Sequence, residues 1–122
     1  VAQEGAIVLN PHLYSNLSYD PLKDLTPISE VVRGGFVMVS NPSMPFRTLP
    51  ELVAYAKRNP GRMSYGSPGN GTSPHIAGEM LKSQAGIFTL HIPYRGSAAA
   101  LQDLLGGSVD YLMDPGIAFS HV

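Results

Sequence analysis

Cysteine is absent from the 122-residue sequence, and its four histidines are widely scattered. Without cysteine the chain cannot form a disulfide, use a thiolate nucleophile or bind a metal through sulfur ligands. The four histidines are His12, His75, His91 and His121, and no two of them have i, i+4 or H-x-H spacing. Because histidine metal ligands commonly use such spacings, the sequence predicts no metal site.

Charged residues and long apolar runs are also scarce. Only 14% of the residues are charged, and the 8 basic residues neither cluster nor alternate with aromatics. This pattern argues against nucleic acid and against an anionic membrane surface as partners. No apolar run approaches the ~18 residues that a membrane span needs. The opening residues, VAQEGAIVLN, have no signal-peptide pattern, and we expect the chain to be cut from a longer one.

The apolar content is sufficient for one folded domain. Hydrophobic residues make up 43% of the chain. A chain of this length and composition is expected to fold as a globular unit that buries roughly two thirds of its unfolded surface.

From residue 31 onward, strand patterns alternate with helix patterns. The predicted strands are FVMVS, RMSYG, IFTLHI and SVDYLM. The predicted helices are RTLPELVAYAKRNPG, SPHIAGEMLKSQAG and AAALQDLLGG, with a shorter one in NPHLYSN before the first strand. This alternation predicts the α/β fold class, an open and mostly parallel sheet with helices on its faces.

Capping residues and apolar spacing define these helices further. Thr48 and Glu51 have capping-box spacing, and Gly86 is expected to end the helix before it. The predicted N-caps of the other helices are Asn10, Ser73 and Ser97. The predicted buried faces are Leu49, Leu52, Val53 and Ala56; Ile76, Ala77, Met80 and Leu81; and Leu101, Leu104 and Leu105.

Polar residues follow the end of each predicted strand. In an open parallel sheet, ligands bind beyond the carboxyl ends of the strands. The sequence therefore predicts that these segments meet on one rim. They are Ser40 with Asn41 after the first strand, 66–73 after the second, 94–97 after the third and Asp114 after the fourth.

The segment YGSPGNGTSPH (65–75) is the strongest candidate on that rim. Its glycines let backbone N–H groups face a ligand, and the helix that follows adds a partial positive charge. Hydroxyl and amide side chains supply further donors, whereas Lys and Arg are absent, so the loop suits a carboxylate. These donors are Ser67, Asn70, Thr72 and Ser73. An ordinary turn before a capped helix fits the composition equally well.

Two phosphate-binding motifs fail in this segment. The G-x-G-x-x-G pattern ends in Pro74, and no Gly-Lys-Ser/Thr follows. The second candidate anion site is Arg95, Gly96 and Ser97, and the alternative there is a surface arginine beside an ordinary helix cap. Asp114 is either a ligand acceptor or a solvated or hinge carboxylate.

An enzyme is the weaker interpretation. A hydrolase triad of Ser67, His75 and Asp114 can be drawn, and an acyl-transfer domain using Ser67 or Ser97 is the related alternative. However, the G-x-S-x-G elbow is absent, and Pro68 stands where an oxyanion N–H is needed. A self-associating interaction module is a third alternative.

Five motifs follow one another between about Asn10 and Asp114. They are NPHLY, YDPLKDLTPIS, NPSMPFRTLPELVAYAKRNPG, YGSPGNGTSPHIAGEMLK and HIPYRGSAAALQDLLGGSVDYLMD. In order and with matching spacing, these motifs together resemble the Bug-type periplasmic receptors of tripartite tricarboxylate transporters.

This resemblance implies a two-lobed Venus-flytrap fold in the periplasm that traps a small carboxylate and passes it to a membrane permease. It implies neither catalysis nor a cofactor. The family's second-lobe ligand loop maps onto Ser67, Gly69, Asn70, Gly71, Thr72 and Ser73. In the same scheme Tyr94, Ser97 and Asp114 face the cleft.

The resemblance also implies how the chain is divided. Residues 1–30 are expected to be a lead-in segment crossing from a first lobe, residues 31–114 the ligand-binding lobe, and residues 115–122 the start of a return crossing. An isolated lobe would expose its inter-lobe surface, which favours self-association or exchange of the N-terminal segment between copies.

Overall fold

The structure is a computed structural model that describes residues 5–31, 33–116 and 118. Its strands are β1 (Val37–Ser40), β2 (Ser64–Ser67), β3 (Leu90–Pro93) and β4 (Tyr111–Asp114). Its α-helices are α1 (Asn10–Leu13), α2 (Leu49–Arg58), α3 (Ser73–Ala85) and α4 (Ser97–Leu105), and a π-helical turn (Gly5–Leu9) precedes α1. No helix in these ranges has the length and apolar character to cross a bilayer.

The four strands form one mixed sheet in the order β1-β4-β2-β3. Strand β2 runs parallel to both β3 and β4, which confirms the α/β class with a mostly parallel sheet. Strand β1 instead runs antiparallel to β4, with Val37 opposite Asp114 and Ser40 opposite Tyr111. Strand β1 is thus the antiparallel exception in the predicted mostly parallel sheet, because its partner β4 is distant in the chain and the local patterns do not reveal this pairing.

The reversed direction of β1 moves two of the polar candidates. Ser40 and Asn41 lie at the edge where β4 begins, opposite the rim formed by the carboxyl ends of β2, β3 and β4. Asn41 is buried there, where its N–H donates to the Asp110 carbonyl and its amide Nδ2 donates to the Leu104 carbonyl at 2.6 Å. The prediction that they share the rim is wrong, and Asn41 instead links β1 to α4.

The helix ends agree with the sequence to within one residue. Thr48 and Glu51 form the predicted capping box, and Gly86 ends α3 in the left-handed conformation. Ser73 and Ser97 are the first residues of their helices, so the N-caps are Thr72 and Gly96. Asn10 likewise begins α1 after an N-cap at Leu9. These three cap predictions are wrong by one position. The extended Thr72 and the glycine Gly96 already occupy the cap positions before the two serines, and Leu9 before Asn10 is already helical.

The buried face of α3 differs in part from the predicted one. Leu81 is partly buried and packs against the core as predicted, whereas Met80 is 54% exposed. The fully buried residues of this helix are Pro74 and Gly78. Gly78 is required because a Cβ there would come within 2.3 Å of the Tyr65 ring. The large aromatic on β2 thus selects the smallest residue on α3, which an apolar periodicity does not detect.

The predicted buried faces of α2 and α4 agree better with the structure. In α2, Leu52 and Ala56 are buried while Leu49 is exposed. In α4, Leu101 and Leu104 are buried while Leu105 is exposed. Leu49 is the first residue of α2 and Leu105 is the last residue of α4, so both lie at the ends of their helices.

The sheet is covered on both faces. Because adjacent strand residues point to opposite sides, Tyr111 and Leu112 of β4 belong to different cores. One core lies toward α2 and α3 and consists of Phe46, Leu52, Ala56, Met63, Tyr65, Ile87 and Tyr111. The other lies toward α4 and consists of Ala100, Leu101, Leu104, Val109, Leu112 and Ala118.

The described part of the lead-in segment, residues 5–30, contains no strand and is mostly exposed. Leu22 and Ile28 are 90% and 98% exposed, and neither belongs to a core. The predicted return segment 115–122 lies mainly outside the described residues, as does His121. The division of the chain at residues 30 and 114 stays a prediction.

Candidate functional site

Two loops lie side by side at the carboxyl ends of β2 and β3. The first is the glycine loop, defined here as residues 67–72, and the second is the turn 94–97. The Tyr94 N–H donates to the Ser67 carbonyl at 2.9 Å, and the Gly96 N–H donates to the Pro68 carbonyl at 3.2 Å. These backbone bonds extend the β2–β3 pairing into the loops and fix their relative position.

Three of the predicted site residues line one small indentation on this rim. Ser67, Ser97 and Asp114 contribute to its wall, which is completed by residues of the strand ends and of α4 such as Gly66 and Ala100. Residues far apart in sequence are therefore brought together at the carboxyl ends of β2 and β4 and the start of α4, as the strand alternation predicts.

The glycine loop is shaped by its own hydrogen bonds. The Ser67 hydroxyl accepts from the Gly69 N–H at 3.2 Å, and the Thr72 hydroxyl donates to the Gly69 carbonyl at 2.7 Å. Gly69 and Gly71 have φ of 145° and 76°, conformations that side chains rarely adopt. The Asn70 side chain is exposed and makes no hydrogen bond within the described ranges. The loop is a defined turn that presents Asn70 outward.

A pair of stacked histidines lies beneath the glycine loop. The rings of His75 and His91 have centroids 4.1 Å apart and are inclined by 17°. The His91 Nε2 lies 2.6 Å from the Ser67 hydroxyl, and the His75 Nδ1 accepts from the Gly71 N–H at 3.1 Å. Sequence reasoning missed His91, although the parallel β2–β3 register places it directly opposite Tyr65.

The stack continues into the core through Tyr65. Its ring lies 4.8 Å from the His91 ring and 5.5 Å from the Tyr111 ring, centroid to centroid. The Tyr65 hydroxyl donates to Glu79 at 2.7 Å, and Lys82 pairs with the same carboxylate at 2.8 Å. Tyr65 thus connects the His91 ring to Glu79 and Lys82 of α3.

Burial governs the protonation of these groups. Burial, together with the charge of His75, lowers the pKa of His91 to about 4, so its ring is neutral at neutral pH. Burial and the hydrogen bond to Glu79 raise the pKa of Tyr65. Burial alone would raise the pKa of Glu79, but the hydrogen bonds from Lys82 and Tyr65 outweigh it and lower that pKa.

Tyr94 and Asp114 are bonded within the protein. The Tyr94 hydroxyl donates to Asp103 at 2.7 Å, and burial with this bond raises the pKa of Tyr94 to about 12. The Asp114 carboxylate is 1% exposed and accepts from the Gly116 and Ala118 N–H groups at 2.7 and 2.9 Å. In this conformation Tyr94 braces α4, and Asp114 turns the chain after β4.

The geometry gives a hydrolase no support. Ser67 is 1% exposed and contacts His91, whereas His75 bonds Gly71 and Asp114 bonds the backbone. The drawn triad of Ser67, His75 and Asp114 is therefore not assembled. Within residues 5–31, 33–116 and 118, no three His, Asp or Glu side chains are grouped to hold a metal.

The lead-in segment packs against the glycine loop, which the sequence did not predict. A Cβ on Gly71 would come within 2.6 Å of Leu13, and a Cβ on Gly5 would come within 3.2 Å of the Gly71 carbonyl. The Tyr19 hydroxyl donates to the Ala6 carbonyl and accepts from Asn10, which folds the segment on itself. The π-helical turn and α1 thus lie on the same rim as the candidate site.

Comparison with known proteins gives one family. Residues 1–120 match the family model of the tripartite tricarboxylate transporter family receptor. A curated protein of Cupriavidus necator, described as a UPF0065 protein in the gbd 5′ region, is 40% identical over 100 residues. That match covers 82% of this chain and 31% of the relative, so the chain spans about a third of the length of the curated relatives it matches.

Solved structures of periplasmic proteins share the fold. The periplasmic binding protein BugD has a TM-score of 0.76 and 29% identity, over 96% of this chain and 40% of its own. An R. palustris protein solved with adipate has a TM-score of 0.81 and 29% identity, over 88% of this chain and 37% of its own. The fold described above is therefore that of part of a periplasmic binding protein.

Proposed function

Because the chain belongs to the tripartite tricarboxylate transporter receptor family, we propose that it forms one lobe of a periplasmic receptor for a small carboxylate. The observation that carries this proposal is the family match over residues 1–120. The adipate in the R. palustris relative supports a dicarboxylate as one ligand of this class. The family consists of receptors, so membership agrees with the prediction that the chain is not an enzyme.

We place the ligand on the rim formed by the glycine loop, the turn 94–97 and the end of β4. The 13-residue helix α3 starts there, and the partial positive charge of its first turn favours an anion. The loop contains no Lys or Arg, so neutral donors suit a carboxylate better than a phosphate. The proposed ligand-binding residues are Ser67, Gly69, Asn70, Gly71, Thr72, Ser73, Tyr94, Ser97 and Asp114.

The geometry divides six of these residues into two groups. Asn70 is exposed at the loop tip and Ser97 lines the indentation, so both can reach a ligand directly. Ser67, Thr72, Tyr94 and Asp114 are engaged in internal hydrogen bonds and act by holding the loop ends in place.

The chain alone supplies one wall of the binding cleft. It spans about a third of its curated relatives, and capture by lobe closure needs both walls. We therefore assign tight binding, and transfer of the ligand to the membrane permease subunits, to the complete receptor in the periplasm.

Isothermal calorimetry on the complete receptor tests this function. A panel of citrate, malate, adipate, glutamate and benzoate is expected to contain at least one ligand. Asn70→Ala and Ser97→Ala should each weaken its binding about tenfold, the loss of roughly one hydrogen bond to a charged group. The matched control Ser83→Ala lies on an exposed part of α3 away from the rim and should change nothing. Silence of the complete receptor across the panel contradicts the proposal.

Self-association is a second candidate behaviour of the chain by itself. The exposed side chains of Leu22, Ile28 and Val31 favour it, since burial between copies would remove them from water. Light scattering over a range of concentrations tests it, and a strict monomer at high concentration argues against it.

A further inference from the structure

The stacked pair His75 and His91 lies outside the proposed ligand contacts, yet each ring bonds the glycine loop. One contact is at the loop's first residue, where Ser67 meets the His91 Nε2. The other is near its end, where the Gly71 N–H meets the His75 Nδ1. The two rings come from different elements, α3 and β3, and they meet face to face.

We propose that His75 and His91 are positioning residues whose neutral, stacked rings hold the glycine loop in its ligand-binding shape. This inference rests on the proposed function and adds a pH-dependent control to the same site.

Protonation opposes this arrangement in two ways. The His75 Nδ1 is an acceptor, so a proton on it sets N–H against the Gly71 N–H and breaks that bond. Two cationic rings 4.1 Å apart also repel each other. The glycine loop therefore loses its support on acidification.

The charged and aromatic groups near the histidine pair do not cancel this effect of protonation. From α3, Glu79 stabilises a positive ring and Lys82 opposes it. From β2, the neutral Tyr65 ring stacks on His91, and Tyr111 of β4 stacks in turn on Tyr65. Because Glu79 is already paired with Lys82 and Tyr65, its negative charge offsets only part of the repulsion.

Histidine can be replaced here by amides that keep the acceptor but do not titrate. In His75→Asn the amide Oδ1 occupies the place of Nδ1, and in His91→Gln the amide reaches the place of Nε2. Both variants remove the ring stack and the charge while they retain a partner for the loop.

Nuclear magnetic resonance of the ¹⁵N-labelled chain, without ligand, tests the proposal from about pH 7.5 to about pH 4. At neutral pH, His75 is expected as the tautomer protonated on Nε2. On acidification the Gly71 amide proton should shift upfield with the same midpoint as the His75 ring. His75→Asn should abolish that step, and the exposed control His12→Gln should leave it unchanged.

For His91, the Ala variant removes both the ring and the hydrogen-bond partner of Ser67, whereas the Gln variant removes the ring and keeps a partner. Ala at this position should shift the Gly69 amide, which bonds the Ser67 hydroxyl, and Gln should restore it. Equal spectra for Ala and Gln overturn the role of His91.

Two results overturn the role of His75: a neutral ring protonated on Nδ1, or a Gly71 step that persists in His75→Asn. If His75→Asn does not fold, two observations on the unmodified chain still test the role of His75. They are the tautomer of its ring and the agreement between the midpoints of the Gly71 amide and the His75 ring. Because no ligand is present, failure here leaves the carboxylate-binding proposal standing, and a failed calorimetric panel leaves only the support of the glycine loop by the two histidines standing, without its role in ligand binding.

Discussion

The lead-in segment and the α/β body, defined as residues 37–116, contain similar apolar residues, but only the body buries them. Both contain leucine and isoleucine, yet Leu52 of the body is 1% exposed whereas Leu22 of the lead-in segment is 90% exposed. The body buries its apolar residues on both faces of a sheet, whereas the lead-in segment, which contacts the body at Gly71, is mostly exposed. Stability is therefore expected to reside almost entirely in the body.

The largest expected effect comes from truncating matched leucines in the two regions. Leu52→Ala should lower the free energy of unfolding by about 3 kcal/mol, because a fully packed side chain is replaced by a cavity. Leu22→Ala should change it by less than about 0.5 kcal/mol. Urea denaturation of both variants provides the measurement, and equal losses would mean that a partner covers the lead-in segment.

Glycine substitutions sharpen the same contrast. Gly78→Ala places a methyl group against the Tyr65 ring and should cost about 2 kcal/mol, since overpacking outweighs the gain in helix propensity. Gly34→Ala, in the connection before β1, meets nothing within 4 Å and should be neutral. Thermal unfolding of the pair checks this, and a stable Gly78→Ala variant would show that α3 can move away from the sheet.

Acid should weaken the body through His91. Its pKa is lowered to about 4 in the fold, so the unfolded chain binds a proton first as the pH falls. Stability is therefore complete above the ordinary histidine value of about 6.5 and declines between there and about pH 4, by about 1 kcal/mol after solvent screening. Denaturation at several pH values should show this slope, and His91→Gln should flatten it; an unchanged slope in that variant assigns the effect to other groups.

The smallest effect is expected where the two regions touch. Leu13→Ala removes the contact with Gly71 and should cost at most about 0.5 kcal/mol, because Leu13 is half-exposed. Limited proteolysis should nevertheless cut the lead-in segment faster in this variant, while the body stays resistant. Equal cutting rates would show that α1 is not held by this contact.

The sequence predicted what local patterns determine. Strand and helix alternation gave the fold class, the capping box at Thr48 and Glu51 is confirmed, and Gly86 ends its helix as expected. The loops that follow β2 and β3 also meet on one rim, because parallel neighbours end at the same edge.

The errors have non-local causes. The direction of β1 depends on pairing with β4, which lies more than seventy residues away in the chain. The buried face of α3 depends on the Tyr65 ring filling the space at Gly78. His91 became visible only through the β2–β3 register, which places it against Tyr65 and Ser67 at once.

Pairing of β1 with β4 also affects how the body can be inserted into another protein. Val37 and Asp114 are register partners, so the chain enters and leaves the body on adjacent strands about 5 Å apart. A segment inserted into a host through two neighbouring attachment points disturbs little of the host's backbone. The body is thus suited to excision with a short closing linker, to circular permutation, and to grafting into an unrelated surface loop as a compact cassette.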